Sequence, residues 1–60
     1  MDWLKELRNQ QRLKQEQVAA AAGIERAYYS MIECGKRKPS VSVAQAIAAA
    51  LGFEWTRFFE

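Results

Sequence analysis

The residues of this 60-residue chain that could do chemistry are cationic and polar, and none of them forms a catalytic set. Lys36, Arg37 and Lys38 form the densest run of charge, referred to below as the basic run. The sequence has no His and one Cys, so it lacks the ligand spacing of a zinc site. It also lacks a Gly-rich phosphate loop and a nucleophile beside a base. We therefore expect a binding protein, with no enzymatic activity, metal, cofactor or small-molecule ligand.

The distribution of charge along the chain is more informative than the net charge. The net charge is only +2, but residues 1–38 hold eight Lys and Arg against five Asp and Glu. Residues 39–60 hold one Arg against two Glu. Positive charge is thus concentrated in the first two thirds of the chain and is densest at the basic run. Taken alone, three consecutive cations favour a solvated loop, so the charge pattern by itself does not identify a partner.

The length sets the number of domains. Sixty residues can form one small core, and such a chain buries only about 60% of its unfolded surface. No apolar run approaches the roughly 20 residues that span a bilayer. We expect a single domain over residues 1–60, without a membrane partner, in the cytoplasm.

Gly and Pro divide the chain into short helices. The four such residues are Gly23, Gly35, Pro39 and Gly52. Apolar periodicity between them predicts helices over residues 2–11, 15–22, 26–34, 41–51 and 54–59. Asp2 and Ser40 are the expected N-caps of the first and fourth helices. The predicted fold class is therefore all-α, with five short helices.

Two of these helices, over about residues 15–34, have the spacing of a helix-turn-helix. Gly23-Ile24-Glu25 forms the turn, and Gly23 can adopt a left-handed backbone without a steric penalty. The small side chain of Ala19 lets the two helices approach closely. Short helices joined by Gly also occur in other bundles, so this pattern alone leaves the function open.

The helix over residues 26–34 has an unusual outer face. At about 100° per residue, Tyr29 and Ile32 lie on the buried side. The residues that point outward together are Arg26, Ala27, Ser30 and Met31. Arg can bind guanine, Ser can contact several base edges, and Ala or Met can touch the thymine methyl. We predict that these four contact DNA bases, and a contact with a partner protein is the alternative.

Several segments occur in the order typical of one family of bacterial regulators. They are Gln15-Glu16-Gln17-Val18-Ala19, Gly23-Ile24, residues 30–40 and residues 47–52. On these segments the chain resembles, over residues 4–59, the helix-turn-helix domain of the phage repressor and Cro family, also called the Xre family. The resemblance implies a lambda-repressor-like fold whose third helix enters the major groove of double-stranded DNA.

The chain departs from the family pattern before the second helix. Arg12 stands where the family usually has Gly, so it must either bear a strained turn or change it. Lys14 stands where the family usually has a Ser or Thr cap. Because an ammonium group cannot accept a hydrogen bond from the helix start, we expect this cap to be weaker by about 1 kcal/mol.

The resemblance also implies roles for polar residues that do not lie on the outer face of the third helix. Gln15 lies in the first turn of the second helix, where free N–H groups favour an anion, and its amide can donate to a phosphate. The basic run follows the third helix and is expected to neutralise phosphates without reading sequence. In the family, Arg and Glu at the positions of Arg8 and Glu33 pair, so we expect a partly buried structural ion pair. Two independent surface charges are the alternative.

The C-terminal segment has more large apolar residues than one small core easily buries. Trp55, Phe58 and Phe59 crowd into one or two turns, and we predict that they form a homodimer interface. A dimer suits a palindromic operator, because one 60-residue domain reads only about one half-site. The alternative is that Trp55 and one Phe cap the core.

The leading interpretation is a sequence-specific DNA-binding transcriptional regulator, a repressor. The alternative is a protein-interaction module of the same fold, such as an antitoxin that holds a partner on an apolar surface. Operator binding requires Arg26 and the basic run, whereas partner binding tolerates their loss. This difference separates the two interpretations.

Overall fold

The computed structural model describes all 60 residues and contains four α-helices followed by one 3₁₀ helix. The α-helices are α1 (Asp2–Gln10), α2 (Gln15–Ala22), α3 (Arg26–Glu33) and α4 (Val41–Leu51), and the 3₁₀ helix is Trp55–Phe59. The predicted all-α fold class is confirmed. The fifth of the five predicted short helices is a 3₁₀ helix, so the fold contains four α-helices.

The helix ends follow the chemistry of their caps, with one correction. Ser40 Oγ accepts a hydrogen bond from the Val43 N–H at 3.3 Å and caps α4. Gly23 and Gly52 end α2 and α4 in the left-handed conformation. The prediction that Asp2 caps α1 is wrong, because Asp2 is the first helical residue and the cap position belongs to Met1.

The α1–α2 loop keeps both of its unusual residues without changing the fold. Arg12 has a φ of 57° and is the one residue other than Gly with a positive φ. Lys14 occupies the N-cap of α2, and its backbone N–H donates to Gln17 Oε1 at 2.8 Å. Arg12 therefore adopts the strained left-handed conformation. The Gln17 side chain forms one half of the cap by accepting from the Lys14 N–H, and the Lys14 side chain cannot form the other half.

A single core joins all five elements. The nine buried residues that form it are Leu4, Val18, Ala19, Tyr29, Ile32, Ala44, Ile47, Leu51 and Phe58. α2 packs against both α3 and α4, and the small side chain of Ala19 is buried between the elements. The inward positions of Tyr29 and Ile32 fix the rotation of α3 about its axis, so its opposite side faces outward.

The C-terminal 3₁₀ helix folds back onto α1 through aromatic contacts. The ring centroid of Phe58 lies 5.3 Å from that of Trp3 and 5.5 Å from that of Phe53. Phe58 is only 6% exposed and belongs to the core. The prediction that Phe58 contributes to a dimer surface is therefore wrong, because α1 already covers its ring.

The other two aromatic residues of this helix lie nearer the surface. Phe59 is 44% exposed, and Trp55 is half-buried against the core. Their ring centroids are 6.1 Å apart in an edge-to-face arrangement. Of the three residues predicted to form a dimer interface, Phe59 and the open side of Trp55 therefore remain available to a partner. None of the helices is both long enough and apolar enough to cross a membrane.

Candidate nucleic-acid interface

The α2–turn–α3 unit holds α3 at the surface in a fixed orientation. Gly23, with a φ of 71°, turns the chain after α2, and the Ile24 N–H donates to the Ala19 carbonyl at 2.9 Å. Ile24 packs against the core from within the turn. Glu25 then adopts an extended backbone and α3 begins at Arg26. The turn is therefore part of the packed structure, and it sets where α3 starts.

The outer face of α3 brings the four predicted base-contacting residues together. Arg26 and Ala27 are exposed, while Ser30 and Met31 are half-buried. The opposite side of the helix is closed by the buried Tyr29. The face thus combines one long cation, one hydroxyl and two apolar groups, which is a set that can bind base edges in a major groove.

The basic run is anchored to the end of this face. The N–H groups of Lys36 and Arg37 both donate to the Met31 carbonyl, at 2.9 and 3.2 Å. Lys36, Arg37 and Lys38 are exposed, whereas the next residue, Pro39, is buried. The three cations therefore extend from the last turn of α3, where they can reach a DNA backbone that passes that end of the helix.

Arg8 and Glu33 meet as a bidentate ion pair beneath the interface. Arg8 Nε donates to Glu33 Oε2 at 2.9 Å, and Arg8 Nη2 donates to Glu33 Oε1 at 3.0 Å. A third guanidinium nitrogen, Arg8 Nη1, donates to the Leu13 carbonyl at 2.8 Å. This one side chain therefore ties α1 to α3 and to the loop that precedes α2.

Two further donors complete the environment of the Glu33 carboxylate. Tyr29 Oη donates to Oε2 at 2.7 Å, and Gln15 Nε2 donates to Oε1 at 3.1 Å. The sequence reasoning missed both contacts. The spacing of Tyr29 and Glu33, four residues apart on one helix, was a signal for the first. No local pattern indicates the second, because it joins two helices.

The pKa values of the three central groups reflect this network. Burial raises the pKa of Glu33, but hydrogen bonds from Arg8, Tyr29 and Gln15 outweigh it, so the pKa lies below its ordinary value. Hydrogen bonding to Glu33 raises the pKa of Arg8. Burial, followed by the hydrogen bond to Glu33, raises the pKa of Tyr29 far above its ordinary value. At neutral pH the network therefore holds one cation, one anion and one neutral phenol.

Gln15 lies between this network and the surface. Its amide carries two N–H groups, and Glu33 accepts from one of them. Gln15 also lines an open depression that contains Lys14, Glu16 and Arg26. The remaining N–H can therefore donate to an anion at the surface, and the predicted phosphate contact stays a prediction.

Comparison with known proteins identifies the family. Residues 4–58 match the family described as Helix-turn-helix. The chain belongs to this family, in its Xre-like branch.

Three relatives give the match a context. The chain is 59% identical over 58 residues to an uncharacterized HTH-type transcriptional regulator, YqaF, of Bacillus subtilis (strain 168), covering 97% of this chain and 76% of that protein. It is 42% identical over 57 residues to control protein C.MunI of Mycoplasma sp, covering 93% and 77%. It is 37% identical over 51 residues to the immunity repressor protein of Bacillus phage phi105, covering 85% of this chain but 35% of the repressor. No solved structure gives a significant match.

Proposed function

We propose that this chain, a DNA-binding transcriptional regulator of the helix-turn-helix family, reads a specific double-stranded operator with α3 and represses transcription there. The outer face of α3 carries this proposal. It presents Arg26 and Ser30 beside small apolar groups, while the core and the Glu33 network hold the helix from behind. The names of two relatives, a transcriptional regulator and an immunity repressor, support the same function.

Each residue of the outer face has a role that follows from its chemistry. Arg26 is exposed at the first position of α3 and can form a bidentate pair with guanine O6 and N7. Ser30, one turn further along, can donate to or accept from several base edges. Ala27 and Met31 can pack against thymine methyl groups.

Phosphate contacts on both sides of α3 would fix its register in the groove. The basic run lies beyond the last turn of α3, and Gln15 lies at the start of α2. These groups attract the DNA backbone without distinguishing its sequence, so they supply affinity and orientation. Base contacts from α3 then supply the specificity.

The working species is a symmetric homodimer on a palindromic operator in the cytoplasm. The domain measures 25 × 20 × 19 Å, whereas half-sites one turn of DNA apart are separated by about 34 Å. One copy therefore reaches one half-site. Phe59 and the open side of Trp55 form the apolar surface that would join two copies.

Selection of bound sequences from a pool of random duplex DNA tests this function. The parent protein should enrich a motif with two-fold symmetry. Arg26→Ala, as the matched variant, should enrich a motif that is degenerate at one position of each half. A pool without enrichment would contradict operator reading, whereas a motif without symmetry would contradict the dimer alone.

A further inference from the structure

Arg12 occupies a backbone position that favours Gly. Its φ of 57° lies in the left-handed region, where a Cβ is close to the carbonyl oxygen and Gly has no such contact. Its side chain is exposed and joins no ion pair, since the one ion pair of the protein is Arg8–Glu33. Nothing within the fold therefore explains a long cation at this position.

Lys14 occupies a second position that favours another residue type. Gln17 Oε1 already accepts from the Lys14 N–H at 2.8 Å, which is one half of a capping box. The other half requires a Ser or Thr oxygen at position 14, and the Lys ammonium has donors only. A cation thus replaces the group that would complete the start of α2.

Both cations lie on a loop that is held in place. Arg8 Nη1 donates to the Leu13 carbonyl at 2.8 Å, and Gln11 Nε2 donates to the Leu51 carbonyl at 2.7 Å. These bonds fix the loop against α1 and α4. The backbone that carries Arg12 and Lys14 is therefore fixed, which lowers the backbone entropy lost when their charges bind.

The Lys14 end of this loop adjoins the start of α3, and Arg12 lies two residues before Lys14 on the same loop. Lys14 lines the same open depression as Arg26, the first residue of that helix. The other charged residues of the depression are Glu16 and Arg8, and the charge of Arg8 is balanced by Glu33. The basic run lies at the other end of α3, an eight-residue helix about 12 Å long.

We propose that Arg12 and Lys14 form a second phosphate-binding cluster, which contacts the DNA backbone beside the start of α3. This inference rests on the proposed function and deepens it. The basic run contacts the backbone beside the end of α3, so the two clusters together set the angle of the helix in the groove. The less favourable local backbone is retained because each position carries a positive charge that can bind a DNA phosphate.

Binding to a fixed mixed-sequence DNA duplex over a series of salt concentrations tests the cluster, because phosphate contacts do not depend on sequence. Arg12→Gly and Lys14→Ser should each make the slope of log affinity against log salt shallower by about 0.9. If parent and variant bind equally at 1 M salt, the same relation predicts that each substitution weakens binding about eightfold at 0.1 M salt.

Thermal unfolding gives the independent readout, since the same substitutions improve the local backbone. Lys14→Ser completes the capping box and should raise the midpoint temperature by about 4–8 °C. Arg12→Gly should leave the midpoint unchanged or raise it. Weaker DNA binding by a protein that is at least as stable cannot be attributed to unfolding.

Two variants serve as controls. Arg57→Gln also removes one positive charge, but that guanidinium carbon lies 4.3 Å from the ring centroid of Trp3, at the opposite end of α1 from the loop. Its salt slope should match that of the parent. Arg12→Lys keeps the charge at the strained position and should also keep the parent slope.

The outcomes separate this inference from the proposed function. If Arg12→Gly and Lys14→Ser both have the same salt slope as the parent protein, the second cluster is overturned. A shallower slope in Lys36→Ala would show in the same experiment that DNA binding itself is intact. An equal loss in Arg57→Gln would also overturn it, because the effect would then follow net charge alone. A parent protein that binds no duplex at any salt concentration would overturn the proposed function and the cluster together.

Discussion

The Tyr29 hydroxyl and the Arg8 guanidinium share one acceptor, Glu33 Oε2, at 2.7 and 2.9 Å. The second carboxylate oxygen accepts from Arg8 and from Gln15. The buried charge of Glu33 is thus satisfied by donors from α1, α2 and α3. Because α3 carries the proposed base-contacting face, the network links the stability of the fold to the orientation of that face.

Glu33→Ala should lower the free energy of unfolding by about 3 kcal/mol or more. The substitution leaves the Arg8 guanidinium in its pocket without its counter-charge, and breaking a buried pair in this way is far more destabilising than losing an exposed one. Chemical denaturation measures the change. A midpoint equal to that of the parent would show that Arg8 and Glu33 are not coupled.

Tyr29→Phe is the milder variant in case Glu33→Ala does not fold. It keeps the buried ring and removes one hydrogen bond to a charged acceptor, so we expect a loss of about 1.5–3 kcal/mol. Glu6→Ala, at an exposed position of α1, is the matched control and should change stability by less than about 0.5 kcal/mol.

Acid should destabilise the protein through Glu33. Its pKa in the folded state lies below the ordinary value of 4.5, so its contribution is fully present above pH 4.5 and is lost as the pH falls through the folded-state pKa. The free energy of unfolding should therefore fall below about pH 4.5. In Glu33→Gln the loss of stability that comes from protonating Glu33 should be absent. If the free energy of unfolding falls equally steeply with pH in parent and variant, Glu33 is not the group responsible.

The sequence predicted those elements whose boundaries carry a local chemical signal. The predicted C-terminal end of α2 is confirmed, because Gly23 can end a helix in the left-handed conformation. α3 ends at Glu33, one residue earlier than predicted. The prediction extended to Cys34 because that residue carries no signal that a helix ends before it. Phe58 and Phe59 could not be told apart, because the contact that buries Phe58 involves Trp3, which lies far away in the sequence.

The candidate site was likewise predictable in part from the sequence. Helical spacing about the buried Tyr29 and Ile32 was enough to place four residues on the outer face of α3. The contact between Gln15 and Glu33 was not predictable, because it depends on how α2 packs against α3. Residue periodicity therefore defines faces of a helix, whereas contacts between helices require the packed structure.

Arg26→Ala should relax the base preference at one position of each half-site. Removing a bidentate guanine contact costs about 1–3 kcal/mol at that position and leaves the preferences elsewhere unchanged. Affinities for single-base variants of the selected operator measure this effect. An unchanged consensus and affinity would show that α3 does not read bases in the proposed way.

Lys36→Ala and Arg37→Ala should act differently from Arg26→Ala. Both residues are exposed beyond the end of α3, so their loss should weaken binding almost equally for every duplex. The salt slope should become shallower by about one for each substitution. A change of base preference in either variant would instead place that side chain in the groove.

Phe58 and Phe59 are adjacent but should have separate effects. Phe58 is 6% exposed and in contact with Trp3, so Phe58→Ala should lower the free energy of unfolding by about 3–5 kcal/mol. Phe59 is 44% exposed, so Phe59→Ala should cost less than about 1 kcal/mol. If Phe59 joins two copies, its substitution should weaken the dimer and the cooperative occupation of a palindromic duplex.

Sedimentation with and without that duplex, alongside chemical denaturation, measures both effects. The parent should be a dimer on the palindrome, and Phe59→Ala should bind the two half-sites independently while remaining folded. Thr56→Ala, an exposed substitution on the same 3₁₀ helix, should keep the parent cooperativity. A parent protein that stays monomeric at tens of micromolar and fills half-sites independently would contradict the dimer, and the contacts of α3 with DNA would be unaffected by that result.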